Sequence, residues 1–313
     1  MGKISALVLG DLNVDLVIPL RAGDQVRSQT EGLQLHGGGT GGNTAAALAR
    51  LGVPVGFIGT VGDDGYGRWS ANDLQKEGVD IRFLQVAEQG FTTIVMAVIR
   101  LDGERDLFVW PDIGGAHTRL SAESITPEIF QTADWLHTTG LCLREEPVRN
   151  AQLKAMQLAR DAGLTISLDL NLRLESWGMD EALREVFEKA ISLADVVLGS
   201  GPDEIKPYTD SNAILEGAEI ISAGVRTVIA RLGPEGALAV APGQKISSPA
   251  IAVEVVDTLG AGDAFNGGFI CAQLQGLDLQ ESLRWGNGAA AYKIGREGAR
   301  GLPSFKNLTE LLT

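Results

Sequence analysis

Two carboxylates bracket a small turn in Asp257-Thr258-Leu259-Gly260-Ala261-Gly262-Asp263. In the residues that follow, Ala264, Phe265, Gly268, Phe269 and Ala272 fall on one face at helical spacing. The turn therefore opens a helix. The first N–H groups of a helix have no partner within it, and the dipole is positive there. Together they bind anions. Gly260 and Gly262 let a phosphate approach the backbone closely. Asp263 stands where a base could take a hydroxyl proton as the phosphate arrives. The competing reading is structural: an Asp that caps a helix entered through a glycine-rich loop.

DTLGAGD followed by AFNGGF resembles the C-terminal signature of the ribokinase-like (PfkB) carbohydrate kinases. The resemblance implies that Asp263 is the catalytic base. It also implies that the Gly260-Ala261-Gly262 backbone holds the transferring phosphate, with ATP as donor and Mg2+ required. The rest of the chain has to position these groups.

Residues 4–9 read as a buried strand ending at Gly10. After it Asp11, Asn13 and Asp15 share one face of an extended segment. In open α/β sheets ligands bind beyond the carboxyl ends of the strands. Asn13 and Asp15 are thus candidates for gripping sugar hydroxyls, against the alternative of a polar loop face. The resemblance gives the last Asp to the sugar. Residues 16–36 and 92–110 alternate weakly, the latter around a turn at 101–104. Both read as strands of a small sheet. The resemblance makes that sheet a lid over the sugar, with strands inserted from about 12–36 and 91–113 and a homodimer formed through it.

Next comes Gly37-Gly38-Gly39-Thr40-Gly41-Gly42-Asn43 and an alanine-rich helix capped by Asn43 and stopped at Gly52. Gly37, Gly39 and Gly42 satisfy the dinucleotide fingerprint, with Asp63 downstream, which would suit an NAD(P)-dependent Rossmann oxidoreductase. The same run resembles the first signature of the sugar kinases. There Gly38, Gly39 and Asn43 would hold sugar hydroxyls. Thr40 stands where some ribose-specific members carry Lys. Asp63 and Asp64 read as turn and cap residues.

In residues 165–173 alternation is strict. Ser167, Asp169, Asn171 and Arg173 fall on one face and Ile166, Leu168, Leu170 and Leu172 on the other. A central parallel strand is normally apolar on both faces. The run resembles the Asp-x-Asn-x-Arg motif of fructokinase-like and 2-keto-3-deoxygluconate kinase-like members, with Trp177 following. Arg173 could fork onto a carboxylate or a phosphate oxygen; a surface salt bridge is the alternative.

Glu204 matches the Glu of the family's Asn-x-x-Glu, which organises magnesium through its waters; Gly201 replaces the Asn. Gly233 and Gly236 resemble the nucleotide-binding turn, with Arg231 in place of the usual Thr. Asn287 lies in a segment resembling the adenine-side helix. The loop 295–299, with backbone near Asp257 and Leu259, resembles the part that binds a monovalent cation in many members, so K+ would sit by Asp257.

Strands alternate with helices across 313 residues that are 44% hydrophobic. The fold class is therefore α/β, with a parallel sheet between helical layers. The resemblance specifies a ribokinase-like three-layer sandwich with a small β-sheet lid, and one kinase domain over 1–313. A net charge of −14 argues against nucleic acid or an anionic membrane as partner. Cys142 and Cys271 read as reduced buried thiols of a cytoplasmic protein. The histidines show no metal-ligand spacing. The chain lacks the Walker A pattern, so a kinase reading rests on the Gly260–Asp263 helix start.

The expected reaction is in-line transfer of the ATP γ-phosphoryl group to a sugar hydroxyl. The acceptor would be a 2-keto-3-deoxygluconate-like acid or a fructose-like ketose. Ribose, a nucleoside, or a non-catalytic sugar- or nucleotide-binding protein are the alternatives within the fold.

Overall fold

The computed structural model describes residues 3–19, 34–99, 105–223 and 226–313. The expectations for residues 20–33 and for the turn 101–104 lie outside them. The chain runs β1 (Ala6–Leu9), β2 (Asn13–Pro19), β3 (Gln34–Gly38), α1 (Thr40–Arg50), β4 (Val55–Gly62), α2 (Gly65–Lys76), β5 (Asp80–Ala87), β6 (Ile94–Ile99) and β7 (Arg105–Trp110). It continues with β8 (Trp135–Thr139), α3 (Val148–Asp161), β9 (Thr165–Asp169), α4 (Leu174–Trp177), α5 (Glu181–Leu193), β10 (Val196–Ser200), α6 (Lys206–Thr209) and α7 (Ile214–Ser222). It closes with β11 (Thr227–Arg231), β12 (Ala237–Ala241), β13 (Gln244–Ser248), α8 (Ala261–Leu274), α9 (Leu279–Ile294) and α10 (Phe305–Leu312).

Nine strands form one sheet in the order β13-β12-β11-β10-β9-β8-β1-β4-β5. The run from β11 to β5 is parallel; β12 and β13 add antiparallel strands at one edge. Side chains alternate across it, and both faces are covered. Leu7 and Leu9 of β1 join a core with α3, α5 and α7, while Ala6 and Val8 join one with α1, α8, α9 and α10. All four are fully buried, as a central parallel strand requires. The result is the expected α/β three-layer sandwich.

From β1 the chain goes outward to β4 and β5, then returns to β8 on the other side of β1. The order reverses between β1 and β8, which leaves a crevice beyond their carboxyl ends. Asp11 and Asn13 follow β1 there, and Thr139 ends β8.

The second sheet has the order β3-β2-β6-β7, with β2 parallel to β6 and the other pairs antiparallel. It contains the strands expected of the small sheet. It also removes the dinucleotide reading: β3, which precedes the Gly37–Gly42 run, is an antiparallel strand of this small sheet and not a parallel core strand.

Two expectations change. Helix α1 starts at Thr40, not after Asn43, because Gly39 turns the chain at φ 87°. Asn43 therefore lies inside the first turn, and its amide is available for other work. Strand β9 ends at Asp169, where its pairing with β8 and β10 stops. Asn171 and Arg173 then take left-handed conformations, φ 40° and 50°. Leu170 and Leu172 are still buried, but the polar row is not one strand face.

Candidate active site

Gly260 begins α8 with φ 75°. A Cβ there would meet the Ala299 Cβ at 3.0 Å, so the 295–299 loop packs directly on the helix start. One turn in, Asp263 is 7% exposed and accepts a 2.9 Å hydrogen bond from Asn43 Nδ2. Burial pushes its carboxyl up to about 7; Asp169 and Asp11 add to the rise, while Asn43 and Arg231 oppose it. A carboxyl held near neutrality suits a general base.

Asp11 builds the loop opposite. Its Oδ1 accepts from Thr40 Oγ1 at 2.9 Å and Gly41 N at 3.1 Å, and its Oδ2 from Thr40 N and Asn13 Nδ2, both at 3.2 Å. Its carbonyl accepts from Gly42 N at 3.0 Å. Asp11 thus organises the loop, a role that alternation along the chain does not reveal. The Asp15 carboxylate lies over Gly38, where any Cβ would meet its Oδ1 at 2.2 Å. Burial raises Asp15 to about 6, with Arg300 opposing. Thus Asn13, Asp15, Gly38, Gly39, Asn43 and Asp263 converge. The Oδ1 atoms of Asn13 and Asn43 are buried and accept no hydrogen bond among the described residues. Such acceptors are costly unless a donor fills them.

Arg173 reaches this pocket through a relay. Its Nε donates to Asn171 Oδ1 at 2.9 Å, and Asn171 Nδ2 to Thr139 Oγ1 at 3.4 Å. Thr40 Oγ1 lies 3.1 Å from Thr139 Oγ1. Ser167, the other end of the expected row, bonds Trp135 and His137 inside the core.

Asp169 belongs to a different group. The Arg231 fork meets it at 2.8 and 3.0 Å; Arg231 Nη1 also donates to Asn266 Oδ1 at 2.8 Å, and Asn266 to Asp169 at 2.7 Å. Burial alone would raise Asp169, but the charge and hydrogen bonds of Arg231 outweigh it and hold the carboxyl below its ordinary value. A Cβ on Gly262 would lie 3.4 Å from Arg231 Cζ, so the cation lies against the first turn of α8. Glu204 Oε2 is 3.6 Å from Arg231 Nη2. Glu204 also accepts from Leu172 N at 2.8 Å and Ser200 N at 2.6 Å. Its carboxyl is raised, by burial first and by Asp169 second. At Gly201 a Cβ would come within 2.9 Å of side-chain methyls of both Ile214 and Leu232, so an Asn there would require those side chains to shift. Ser200 Oγ and Asp203 Oδ2 bond each other at 2.6 Å.

In the turn expected to bind the nucleotide, Gly233 and Gly236 have φ 59° and 96°. Ser248 ties Gly236 to Asn287: a Cβ on Gly236 would meet Ser248 O at 2.1 Å, and Asn287 Nδ2 donates to that carbonyl at 3.0 Å. Asn287 also donates to Pro249 O at 3.0 Å, so its amide braces the 248–249 turn. Asp257 accepts from Leu259 N and Gly298 N, both at 2.9 Å. The ammonium of Lys293 donates to Asp257 O at 2.6 Å.

Sequence comparison matches residues 3–304 to the pfkB family of carbohydrate kinases. A fructokinase of Vibrio alginolyticus is 33% identical over 312 residues, 97% of each chain. An aminoimidazole riboside kinase of Salmonella typhimurium is 32% identical over 298 residues, covering 93% of this chain and 89% of the relative. Among solved structures, a double mutant of Vibrio cholerae fructokinase with fructose, ADP and potassium ion bound superposes with a TM-score of 0.85. It is 29% identical, with all of both chains covered. Over nearly its whole length, this chain belongs to the pfkB carbohydrate kinases, phosphotransferases whose acceptor is an alcohol group.

Proposed function

We propose that this chain transfers the γ-phosphoryl group of ATP to a hydroxyl of a fructose-like ketose. The observation that carries this reading is the Asn43–Asp263 contact at the start of α8, beside the unfilled amide oxygens of Asn13 and Asn43. Those oxygens accept sugar hydroxyl protons, and Asp15 adds a carboxylate. Asp263 takes the proton of the attacking hydroxyl, and the N–H groups of Gly260, Ala261 and Gly262 stabilise the charge on the moving phosphoryl group. Gly233 and Gly236 border the nucleotide. Magnesium, when bound with ATP, would neutralise phosphate charge; Glu204, each of whose oxygens already accepts a backbone N–H, would hold it through water.

Arg173 favours a second acceptor, a 2-keto-3-deoxygluconate-like acid. Only its Nε is engaged within the described residues, so the rest of the fork is available to a carboxylate.

A coupled ADP-release assay across fructose, 2-keto-3-deoxygluconate, ribose, inosine and adenosine tests the reading. Fructose should give the highest kcat/KM. Ligand binding without ADP release from any of them would identify a non-catalytic binding protein.

We also read the small sheet as a lid and as the seam of a homodimer. Phe108, Val109 and Trp110 of β7 are about half exposed, and Ile113 after it is 75% exposed. Sedimentation at monomer mass would remove the dimer. The free thiols Cys142 and Cys271, both buried, suit a cytoplasmic enzyme. Among the described residues no helix is long and apolar enough to cross a membrane.

A further inference from the structure

Lys293 is fully buried, in a helix whose neighbouring residues are mostly small or apolar. A buried ammonium is retained only where oxygens replace its water. Here they come from both loops that meet at the start of α8. Its Nζ donates to Asp257 O at 2.6 Å and to Arg296 O at 3.3 Å, and lies 4.0 Å from Asp257 Oδ1. The same Asp257 carboxylate accepts from Leu259 N, just before Gly260, and from Gly298 N in the other loop. The ammonium thus sits on the joint that sets the phosphate-binding turn.

Carbonyl and carboxylate oxygens from two loops are also what a monovalent cation needs in place of its hydration shell. Potassium, expected at this place, does not fit: the position beside Asp257 already holds a positive charge on the chain itself. We propose that Lys293 is a tethered replacement for a potassium ion, so that the phosphate-binding turn is set without any added monovalent cation. The proposal rests on the kinase reading for its catalytic consequence but not for the cation position.

Two measurements test it, in tetramethylammonium, sodium and potassium chloride at equal ionic strength. Thermal melting and sugar-dependent ADP release of the wild-type protein should be the same in all three. Lys293→Ala opens the position. It should melt about 2–4 °C higher in potassium than in tetramethylammonium, through ordinary ligand linkage. Its activity, low in tetramethylammonium, should rise roughly tenfold with potassium or ammonium ion, the size of a recovered electrostatic contact. Potassium activation of the wild type would overturn the proposal. So would a Lys293→Ala protein whose melting ignores potassium. Should Lys293→Ala not fold, the wild-type titration still decides. Should no sugar release ADP, the functional reading fails, while the melting comparison still reads the cation position.

Discussion

The amide of Asn43, on α1, donates to the carboxylate of Asp263, on α8, at 2.9 Å across 220 residues of sequence. On the proposed function, one residue would thereby belong to both the sugar pocket and the base. Burial sets Asp263 at about 7, and the Asn43 bond pulls against that rise. A base must be ionised to act, so kcat should climb as pH rises through about 7 and flatten above. Asn43→Ala removes a lowering influence and should move the climb to higher pH. Superimposable kcat–pH profiles for the two proteins would sink this. Asp263→Asn should lower kcat at least ~10²-fold while sugar and ATP still bind.

The same carboxyl makes a stability prediction of opposite sign. Unfolded, Asp263 returns to the ordinary carboxylate range. Folded, it holds its proton up to about 7, so stability falls as pH rises through that interval, and the full cost is present above about 7. Without ligand, Asp263→Asn should therefore melt higher than wild type at pH 8, and the gap should narrow at pH 5. An Asn variant that melts lower at both values would remove burial as the dominant influence.

Arg231 and Asp169 form a pair with little exposure on either side. Arg231→Met strands the carboxylate and should cost about 3–5 kcal/mol in urea unfolding. Arg231→Met with Asp169→Asn should recover part of that loss. Strict additivity of the two changes would mean that the pair is not coupled.

Arg173→Lys keeps the charge and loses the fork, which should cost on the order of 1–3 kcal/mol in kcat/KM where the contact is bidentate. If Arg173 meets a sugar carboxylate, the loss falls on acids and spares fructose. If it meets phosphate, every acceptor suffers alike. Full activity of Arg173→Ala on all acceptors would leave the residue a surface charge.

Much of this was legible in the chain because the signals were local. The Asp257–Asp263 turn, the buried strand before Gly10 and the alanine-rich helix each declare themselves by spacing and residue size. What was not legible depended on distance or on backbone hand. Arg231 registered as a substitution, yet its partners Asp169 and Asn266 lie 62 and 35 residues away. The polar row from Ser167 to Arg173 has strand periodicity, but its pairing stops at Asp169. The two leucines beyond go into the core on a chain that has turned left-handed. Lys293 is inconspicuous in the sequence because a lysine on a helix is ordinarily at the surface. Its signal was the company it keeps: Ala289, Ala290, Ala291 and Ile294 leave no polar stripe for it to join.

Strand β2 leaves the crevice only three residues after β1 ends, and it carries Asn13 and Asp15, whereas Asp263 is carried by α8 against the large sheet. On the proposed function, these acceptor-binding groups and the base would thus be carried by separate pieces of the scaffold, joined at Asp11 and Asn43. Changes at Asn13 and Asp15 in the small sheet would then alter acceptor binding while leaving the start of α8 in place, with Arg173, after β9, a further determinant outside that sheet.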